Sequence, residues 1–143
     1  VAIQQLNQGC PGQIHIVGSI AGKIPTAMTS AYAASKAAII AYADALRLEL
    51  YETAIQVSTI NPGPVKTAFF DRSPQMLAYA QVVEAFSLEA DELASRIVAN
   101  MKRKHVKREL NLPWQLAFAS KLYGLFPQAG DFLAARLFNL KEE

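Results

Sequence analysis

The sequence is poor in cysteine, in net charge and in long apolar runs. Its 143 residues contain one cysteine, Cys10, so no disulfide can form within the chain and nothing in the cysteine content indicates secretion. The net charge of +2 is too small to indicate a nucleic-acid partner by itself. No apolar run reaches the roughly 18 residues of a membrane span, and no signal segment opens the chain. These absences favour a cytoplasmic protein.

What is present suits a globular domain with an apolar core, since 52% of the residues are hydrophobic and 18% are charged. The short apolar run Ile14–Val17 and the β-branched run Ile55–Ile60 both predict buried strands. Between them, residues 31–51 predict a helix that Thr29 or Ser30 would cap. A strand–helix–strand unit implies parallel strands, with a right-handed connection in about 98% of cases.

The helix predicted over residues 31–51 has apolar residues on more than one side. One stripe contains Ile39, Ala43, Leu46 and Leu50, and a second contains Ala34, Ala38, Ala41 and Ala45. The first stripe predicts packing on the sheet. The second would let another helix approach closely, which indicates a homodimer or homotetramer built through this helix. The alternative is that alanine is simply a good helix former.

The rest of the chain is less regular. We interpret residues 68–87 as a substrate loop because they include Phe69, Phe70, Met76, Leu77, Tyr79 and Phe86, which favour an apolar substrate. Ser87 would cap a helix with an acidic first turn, and residues 106–112 would form a strand that Pro113 stops. Residues 113–140 predict an apolar tail of two helices, 114–126 and 130–140, joined at Pro127.

The residues Ser19, Tyr32 and Lys36 form the most informative pattern. Tyr32 and Lys36 are four residues apart at the start of a helix, so they share a face, and Ser19 ends the preceding strand. A free phenol has a pKa of about 10, which makes it a poor acid or base at neutral pH, and a nearby ammonium stabilises its ionised form. This trio could therefore exchange a proton with an alcohol or a carbonyl oxygen while a hydride moves.

Three segments resemble successive signatures of the short-chain dehydrogenase/reductase family. They are Ile16-Val17-Gly18-Ser19-Ile20-Ala21-Gly22, Tyr32-Ala33-Ala34-Ser35-Lys36 and Asn61-Pro62-Gly63-Pro64-Val65-Lys66-Thr67. The resemblance is clear over residues 12–67, in order and in spacing. It implies an α/β fold with a three-layer, Rossmann-like parallel sheet, of which residues 1–143 would be a single domain fragment, the C-terminal half. It also implies an oxidoreductase that interconverts a small-molecule carbonyl and alcohol with NADP or NAD.

The resemblance also implies roles for individual residues. Tyr32 would be the general acid/base, Ser19 would orient the substrate oxygen, and Lys36 would bind the nicotinamide ribose and favour the ionised phenol. Four more residues would contact the cofactor: Pro62 and Gly63 would shape the nicotinamide pocket, Val65 would meet the carboxamide through its backbone, and Thr67 would bond the carboxamide or a phosphate. No metal site is expected.

The sequence departs from the family pattern in two places. Gly18 stands where the family often has a second serine. The family's glycine-rich turn, which places a pyrophosphate on a helix N-terminus, cannot be drawn anywhere in the chain. The sequence therefore gives no preference between NAD and NADP, and we expect the 143-residue chain to be inactive by itself.

Several features have plainer interpretations, which we favour. His15 lies in a strand and is interpreted as a packed residue, and the basic run Lys102–Arg108 as a solvated helix end, with no nucleic acid as partner. The apolar tail could touch a membrane surface as in a peripheral lipid reductase, but packing over the pocket is preferred. A non-catalytic nucleotide-binding or interaction module that retains the motif is the remaining alternative.

Overall fold

A parallel sheet flanked by helices organises the protein, whose structure here is a computed structural model that describes residues 9, 11–27, 29–68, 77 and 80–137. In chain order its elements include β1 (Gly12–Val17), α1 (Ser30–Glu49), β2 (Ile55–Pro62), β3 (Val65–Lys66), β4 (Leu88–Glu89), α2 (Ala90–Met101), β5 (Glu109–Leu112), α3 (Trp114–Leu125) and α4 (Pro127–Leu137). Short 3₁₀ turns cover Ile20–Gly22 and Glu84–Phe86.

The main sheet has the strand order β1-β2-β5, and both pairings are parallel. Gly12 lies opposite Ile55, and Thr59 lies opposite Glu109. The three strands therefore end at one edge, where the segments that follow Val17, Pro62 and Leu112 meet. A second, two-stranded parallel sheet pairs β3 with β4.

The two faces of the main sheet are covered by different helices. On one face, Ala43 of α1 and Leu50, which directly follows α1, pack against Ile55 and Val57 of β2. On the other face, Leu93 and Ile97 of α2 pack against a cluster that includes Ile60 and Leu110. Because successive strand residues point to opposite faces, β2 serves both clusters. The predicted three-layer, Rossmann-like α/β fold is confirmed.

The strands and helices predicted above are found, but two helix starts were wrong, the predicted cap of α1 is not formed, and β5 begins at Glu109 rather than at Val106. Thr29 occupies the N-cap position of α1 without capping it, because its hydroxyl donates to the Thr26 carbonyl oxygen at 2.8 Å. Ser87 does not cap α2, since Leu88 and Glu89 intervene as β4 and the Ser87 hydroxyl donates to the Val83 carbonyl oxygen. Helix α4 begins at Pro127, where proline's fixed φ is favourable.

The tail helix α3 packs against α4, against β5 and against the Ile20–Gly22 turn. Their outer side chains remain exposed, including Trp114 at 72% and Phe118 at 58%. Among the helices in the described residues, none combines the length and the apolar character needed to cross a membrane. The predicted continuation of the last helix to residue 140 lies outside the described residues.

Candidate active site

Ser19 follows β1 at the carboxyl edge of the sheet and is nearly buried, with 7% of its surface exposed. Its hydroxyl accepts a hydrogen bond from the Ala21 backbone N–H at 3.1 Å and so caps the 3₁₀ turn. The same hydroxyl donates to the Pro62 carbonyl oxygen at 3.4 Å. Two predicted site residues from different strands are therefore joined directly, and Ser19 has one fixed position.

Gly22 brings the Ser19 turn against the helix that carries the other two candidate residues. A Cβ at Gly22 would lie 2.7 Å from the Lys36 backbone carbon and 2.8 Å from the Ala37 nitrogen. Real Cβ atoms do not approach backbone atoms that closely, so only glycine fits. The sequence showed Gly22 only as part of a loop, and its role depends on a contact with α1.

Tyr32 and Lys36 face each other on the first turns of α1. The Lys36 ammonium lies 5.6 Å from the centroid of the Tyr32 ring, within the range of a cation–π contact. Tyr32 is 45% exposed, and Lys36 is partly buried. The predicted shared face is thus observed, and the phenol is accessible to a substrate at the same end of the sheet as Ser19.

The segment after β2 carries the other candidate residues. The Gly63 N–H donates to the Leu112 carbonyl oxygen at 2.6 Å, which ties the Pro62–Gly63 step to the end of β5. A Cβ at Gly63 would lie 2.6 Å from Leu116 Cδ1 and 3.3 Å from the Leu112 carbonyl oxygen, so α3 and the end of β5 both lie close to this glycine. Val65 pairs with Leu88 in the small sheet, and the Thr67 hydroxyl donates to the Val65 carbonyl oxygen at 3.5 Å.

A chain of hydrogen-bonded polar side chains runs beneath this edge, and no pattern in the sequence predicts that these side chains meet. The Asn61 amide donates to Asn111 Oδ1 at 2.8 Å, and the Asn111 amide donates to Glu109 Oε2 at 3.0 Å. Glu109 in turn pairs with the Lys23 ammonium at 2.6 Å. Asn61 is fully buried, and a Cβ at Gly18 would collide with its side-chain oxygen. The glycine that departs from the family pattern therefore makes room for Asn61.

Glu109 is held in its charged form by this chain. Burial by itself would raise the pKa of Glu109, but hydrogen bonds from Lys23 and Asn111, together with the charges of Lys23 and Arg108, lower that pKa below its usual value. The acid therefore acts as an anionic link between the turn that follows Ser19 and strand β5.

The remaining polar features lie away from this edge. His15 is partly buried in β1, its Nε2 lies 3.0 Å from Gln13 Oε1, and burial lowers its pKa. The basic run meets the opposite end of the sheet, where the Arg103 carbonyl oxygen accepts from Gln13. Of the predicted substrate loop, residues 69–76 and 78–79 lie outside the described part, and Phe86 belongs to a 3₁₀ turn.

Comparison with known proteins fits this arrangement. The sequence profile of the short chain dehydrogenase family matches residues 1–78, which is more than half of the chain and includes Ser19, Tyr32, Lys36 and the Pro62–Thr67 segment. The chain belongs to the short-chain dehydrogenase family.

Two curated members illustrate the relationship. The uncharacterized oxidoreductase YbbO of Escherichia coli is 48% identical over 64 residues, covering 45% of this chain and 24% of that protein. A probable short-chain type dehydrogenase/reductase, VdlC of Helicobacter pylori, is 38% identical over 134 residues, covering 82% of this chain and 49% of that protein. The chain spans no more than about half the length of these relatives.

Solved structures of short-chain dehydrogenases share the fold. One from Streptomyces avermitilis superposes with a TM-score of 0.70 at 19% identity, covering 99% of this chain and 56% of that one. One from Sphingobium yanoikuyae, in complex with NADPH, superposes with a TM-score of 0.65 at 24% identity, covering 94% of this chain and 49% of that one. At these identities the likeness establishes the fold.

Proposed function

We propose that the whole protein is an NAD(P)-dependent oxidoreductase that interconverts a carbonyl and an alcohol by hydride transfer. The observation that carries the proposal is the packing of the Ser19 turn against the helix on which Lys36 faces Tyr32. Ser19 is fixed by the Pro62 carbonyl oxygen, and Gly22 seats its turn on the Lys36 backbone, while Lys36 faces the Tyr32 ring. Membership in a family of oxidoreductases supports the same conclusion.

In this proposal each side chain has a distinct task. Tyr32 donates its phenolic proton to the substrate oxygen during reduction and takes it back during oxidation. The Ser19 hydroxyl, which the Ala21 N–H already orients, exchanges its long hydrogen bond to the Pro62 carbonyl oxygen for one to the same substrate oxygen. The Lys36 ammonium stabilises the negative charge that develops on the phenol.

The donor chemistry of the site fits the nicotinamide half of a dinucleotide. The Lys36 ammonium and the Tyr32 hydroxyl would hold the ribose, Pro62 and Gly63 would bound the ring, and Val65 and Thr67 would meet the carboxamide. When bound, the cofactor supplies or accepts the hydride. Related structures were solved with NADPH and with NADH, which leaves both NADP and NAD as candidates.

The test uses the whole protein with NADPH or NADH and a panel of aldehydes and ketones, followed through nicotinamide absorbance. We expect turnover that Tyr32→Phe lowers at least a hundredfold. Tyr42→Phe is the matched control, because Tyr42 lies on the same helix and is 62% exposed. Unchanged turnover in Tyr32→Phe would overturn the assigned role, and cofactor binding without any turnover would indicate a binding module instead.

We also propose that the whole protein forms a homodimer or homotetramer through α1. Ala34, Ala38, Ala41 and Ala45 are all exposed in this structure, so the stripe is free to receive a second helix. A glutamate at Ala41 would place a charge in the centre of that contact. We expect light scattering to give a mass of two or four chains for the whole protein and a smaller mass for Ala41→Glu.

The isolated 143-residue chain is a separate case. Because it carries no glycine-rich phosphate-binding turn, we expect it to show no turnover that saturates with cofactor. Saturable turnover by this chain alone would contradict that expectation.

A further inference from the structure

A large apolar cavity opens beside the candidate active site. Its volume is about 560 Å³, which is within the range of small-molecule sites in proteins. Its walls come mainly from the turn that follows β1 and from the tail helices α3 and α4, with Pro64, Val83 and Phe86 completing them. Representative lining residues are Ile20, Ala21, Ile24, Leu116, Ala119 and Leu133.

Ser19 does not line the cavity itself, but its neighbours on two segments do. Ile20 and Ala21 follow Ser19 directly, and the Ala21 N–H donates to the Ser19 hydroxyl. Pro64, two residues beyond the carbonyl that Ser19 contacts, lines the same cavity. A substrate whose oxygen meets the Ser19 hydroxyl would therefore extend its remaining atoms along these walls.

The lining offers almost nothing to a charged substrate. Among the described residues that line the cavity there is no carboxylate, ammonium, guanidinium or imidazole group. The hydroxyls that do line it are engaged, since Thr26 pairs with Thr29 at 3.1 Å and Tyr123 donates to Asp131 at 2.7 Å. The hydrogen bond to Asp131 also raises the pKa of Tyr123, which keeps that hydroxyl neutral.

We infer that the substrate is an uncharged carbonyl or alcohol with a bulky apolar group, and that this group fills the cavity formed by the Ser19 turn and the tail helices. The inference rests on the proposed function and adds the class of substrate. Burying an unpaired carboxylate or ammonium among these walls would be strongly unfavourable, so we expect amino acids and sugar phosphates to be poor substrates.

The tail helices set the size limit. Ala119 of α3 and Ala134 of α4 both line the cavity, and their small side chains leave the space open. A phenylalanine at either position would occupy part of the volume. Ala135, next to Ala134, is exposed and does not belong to the lining, so Ala135→Phe adds the same side chain outside the cavity.

The first experiment measures kcat/KM of the whole protein for straight-chain aldehydes from butanal to decanal. We expect a rise of three- to fourfold per methylene group, the factor that about 0.8 kcal/mol per buried methylene corresponds to, until the cavity is filled. Succinic semialdehyde, which has the chain length of butanal and carries a carboxylate, should be turned over more slowly than butanal.

A flat chain-length series, or faster turnover of succinic semialdehyde than of butanal, would overturn the inference while leaving the proposed function intact. Absence of turnover with every carbonyl would instead defeat the proposed function. The unmodified protein suffices for these measurements, so the inference is tested even where a variant fails to fold.

The second experiment locates the effect. Ala119→Phe and Ala134→Phe should lower kcat/KM for decanal at least tenfold more than they lower kcat/KM for butanal. Ala135→Phe should change neither, and the melting temperature of each variant reports its folding. An equal loss in Ala134→Phe and Ala135→Phe, or decanal turnover unaffected by either cavity variant, would contradict the assignment of this cavity to the substrate.

Discussion

The Lys36 ammonium lies 5.6 Å from the centroid of the Tyr32 ring, one helical turn along α1. The positive charge is therefore held beside the face of the phenol by the helix itself, before any substrate or cofactor is bound. The i, i+4 spacing alone makes this contact possible, because such residues are neighbours on a helix surface.

Removing the charge at Lys36 should impair turnover without unfolding the protein. In Lys36→Met the side chain keeps much of its length and loses the ammonium that stabilises developing charge on Tyr32. We expect kcat/KM of the whole protein to fall about a hundredfold. Lys121→Met, on the exposed side of α3, is the control and should behave as the unmodified protein. Equal activity in Lys36→Met and Lys121→Met would remove Lys36 from the mechanism.

Substitution of Gly22 should destabilise the protein because backbone atoms of α1 occupy the space that a side chain needs. The Lys36 backbone carbon and the Ala37 nitrogen cannot move without shifting the helix, so we expect Gly22→Ala to cost about 1–3 kcal/mol of unfolding free energy. Gly124→Ala is the matched control, since a Cβ there meets nothing within 4 Å. Gly124 is the next-to-last residue of α3, where alanine should instead stabilise by up to about 0.5–1 kcal/mol.

Urea unfolding measures the free energy of unfolding of both glycine variants, which should fall in Gly22→Ala and rise in Gly124→Ala. A destabilised Gly22→Ala with a stabilised Gly124→Ala is the expected pair of results. If Gly22→Ala were as stable as the unmodified protein, the close approach of the Ser19 turn to α1 would be wrong.

Asn100 should be essential for stability, since it is a buried polar residue that joins α2 to the sheet. Its amide donates to the Ser58 hydroxyl at 3.1 Å, and its side-chain oxygen accepts from the Lys107 N–H at 3.0 Å. Asn100→Ala leaves the Ser58 hydroxyl and the Lys107 N–H without these partners, which should lower the free energy of unfolding by about 1–3 kcal/mol. Ser95→Ala, which removes an exposed hydrogen bond from the same helix, should cost less than about 0.5 kcal/mol. The urea midpoints of the two variants measure both effects, and the prediction would be refuted if Asn100→Ala and Ser95→Ala had equal midpoints.

The Lys23–Glu109 pair should make stability depend on acid pH. The folded state lowers the pKa of Glu109, so the stabilisation is fully present above the ordinary glutamate value of about 4.3. It is lost as the pH falls through the lowered folded value. The difference in unfolding free energy between the unmodified protein and Glu109→Gln should therefore be largest near neutral pH and shrink below about pH 4.

Glu89→Gln is the control for this titration. Glu89 also pairs with a lysine, Lys66, but both side chains are at least half exposed, so the pair contributes little. The difference in unfolding free energy between Glu89→Gln and the unmodified protein should be small at every pH. A Glu109→Gln difference that stays constant from pH 7 to pH 3 would show that the chain through Asn111 does not depend on the charge.

Local sequence patterns were sufficient to predict α1 and β2. The alanine-rich run around Tyr32 forms α1, and the β-branched run Ile55–Ile60 forms the core of β2. The motif spacing was sufficient to choose Ser19, Tyr32 and Lys36, because a strand end and a helix start have defined positions in a parallel α/β unit. Ser19 and Pro62, which are 43 residues apart in the chain, meet as that unit requires.

Contacts between distant segments could not be predicted in the same way. The two-residue strands β3 and β4 are too short for a sequence pattern, and their pairing displaced the expected cap at Ser87. The partners of Asn61 and Glu109 lie 50 and 86 residues away along the chain. No local propensity encodes such pairings.

The sequence by itself indicated the fold class and the candidate chemical residues, because both are read from residue types at fixed local spacings and from the family signatures that those residues resemble. Only the tertiary structure decided which glycine seats the Ser19 turn against α1, which polar chain lies beneath it, and that the tail helices enclose an uncharged cavity beside Ser19. Those features arise from the packing of segments far apart in the chain, where close approach and burial, rather than local spacing, select the residues.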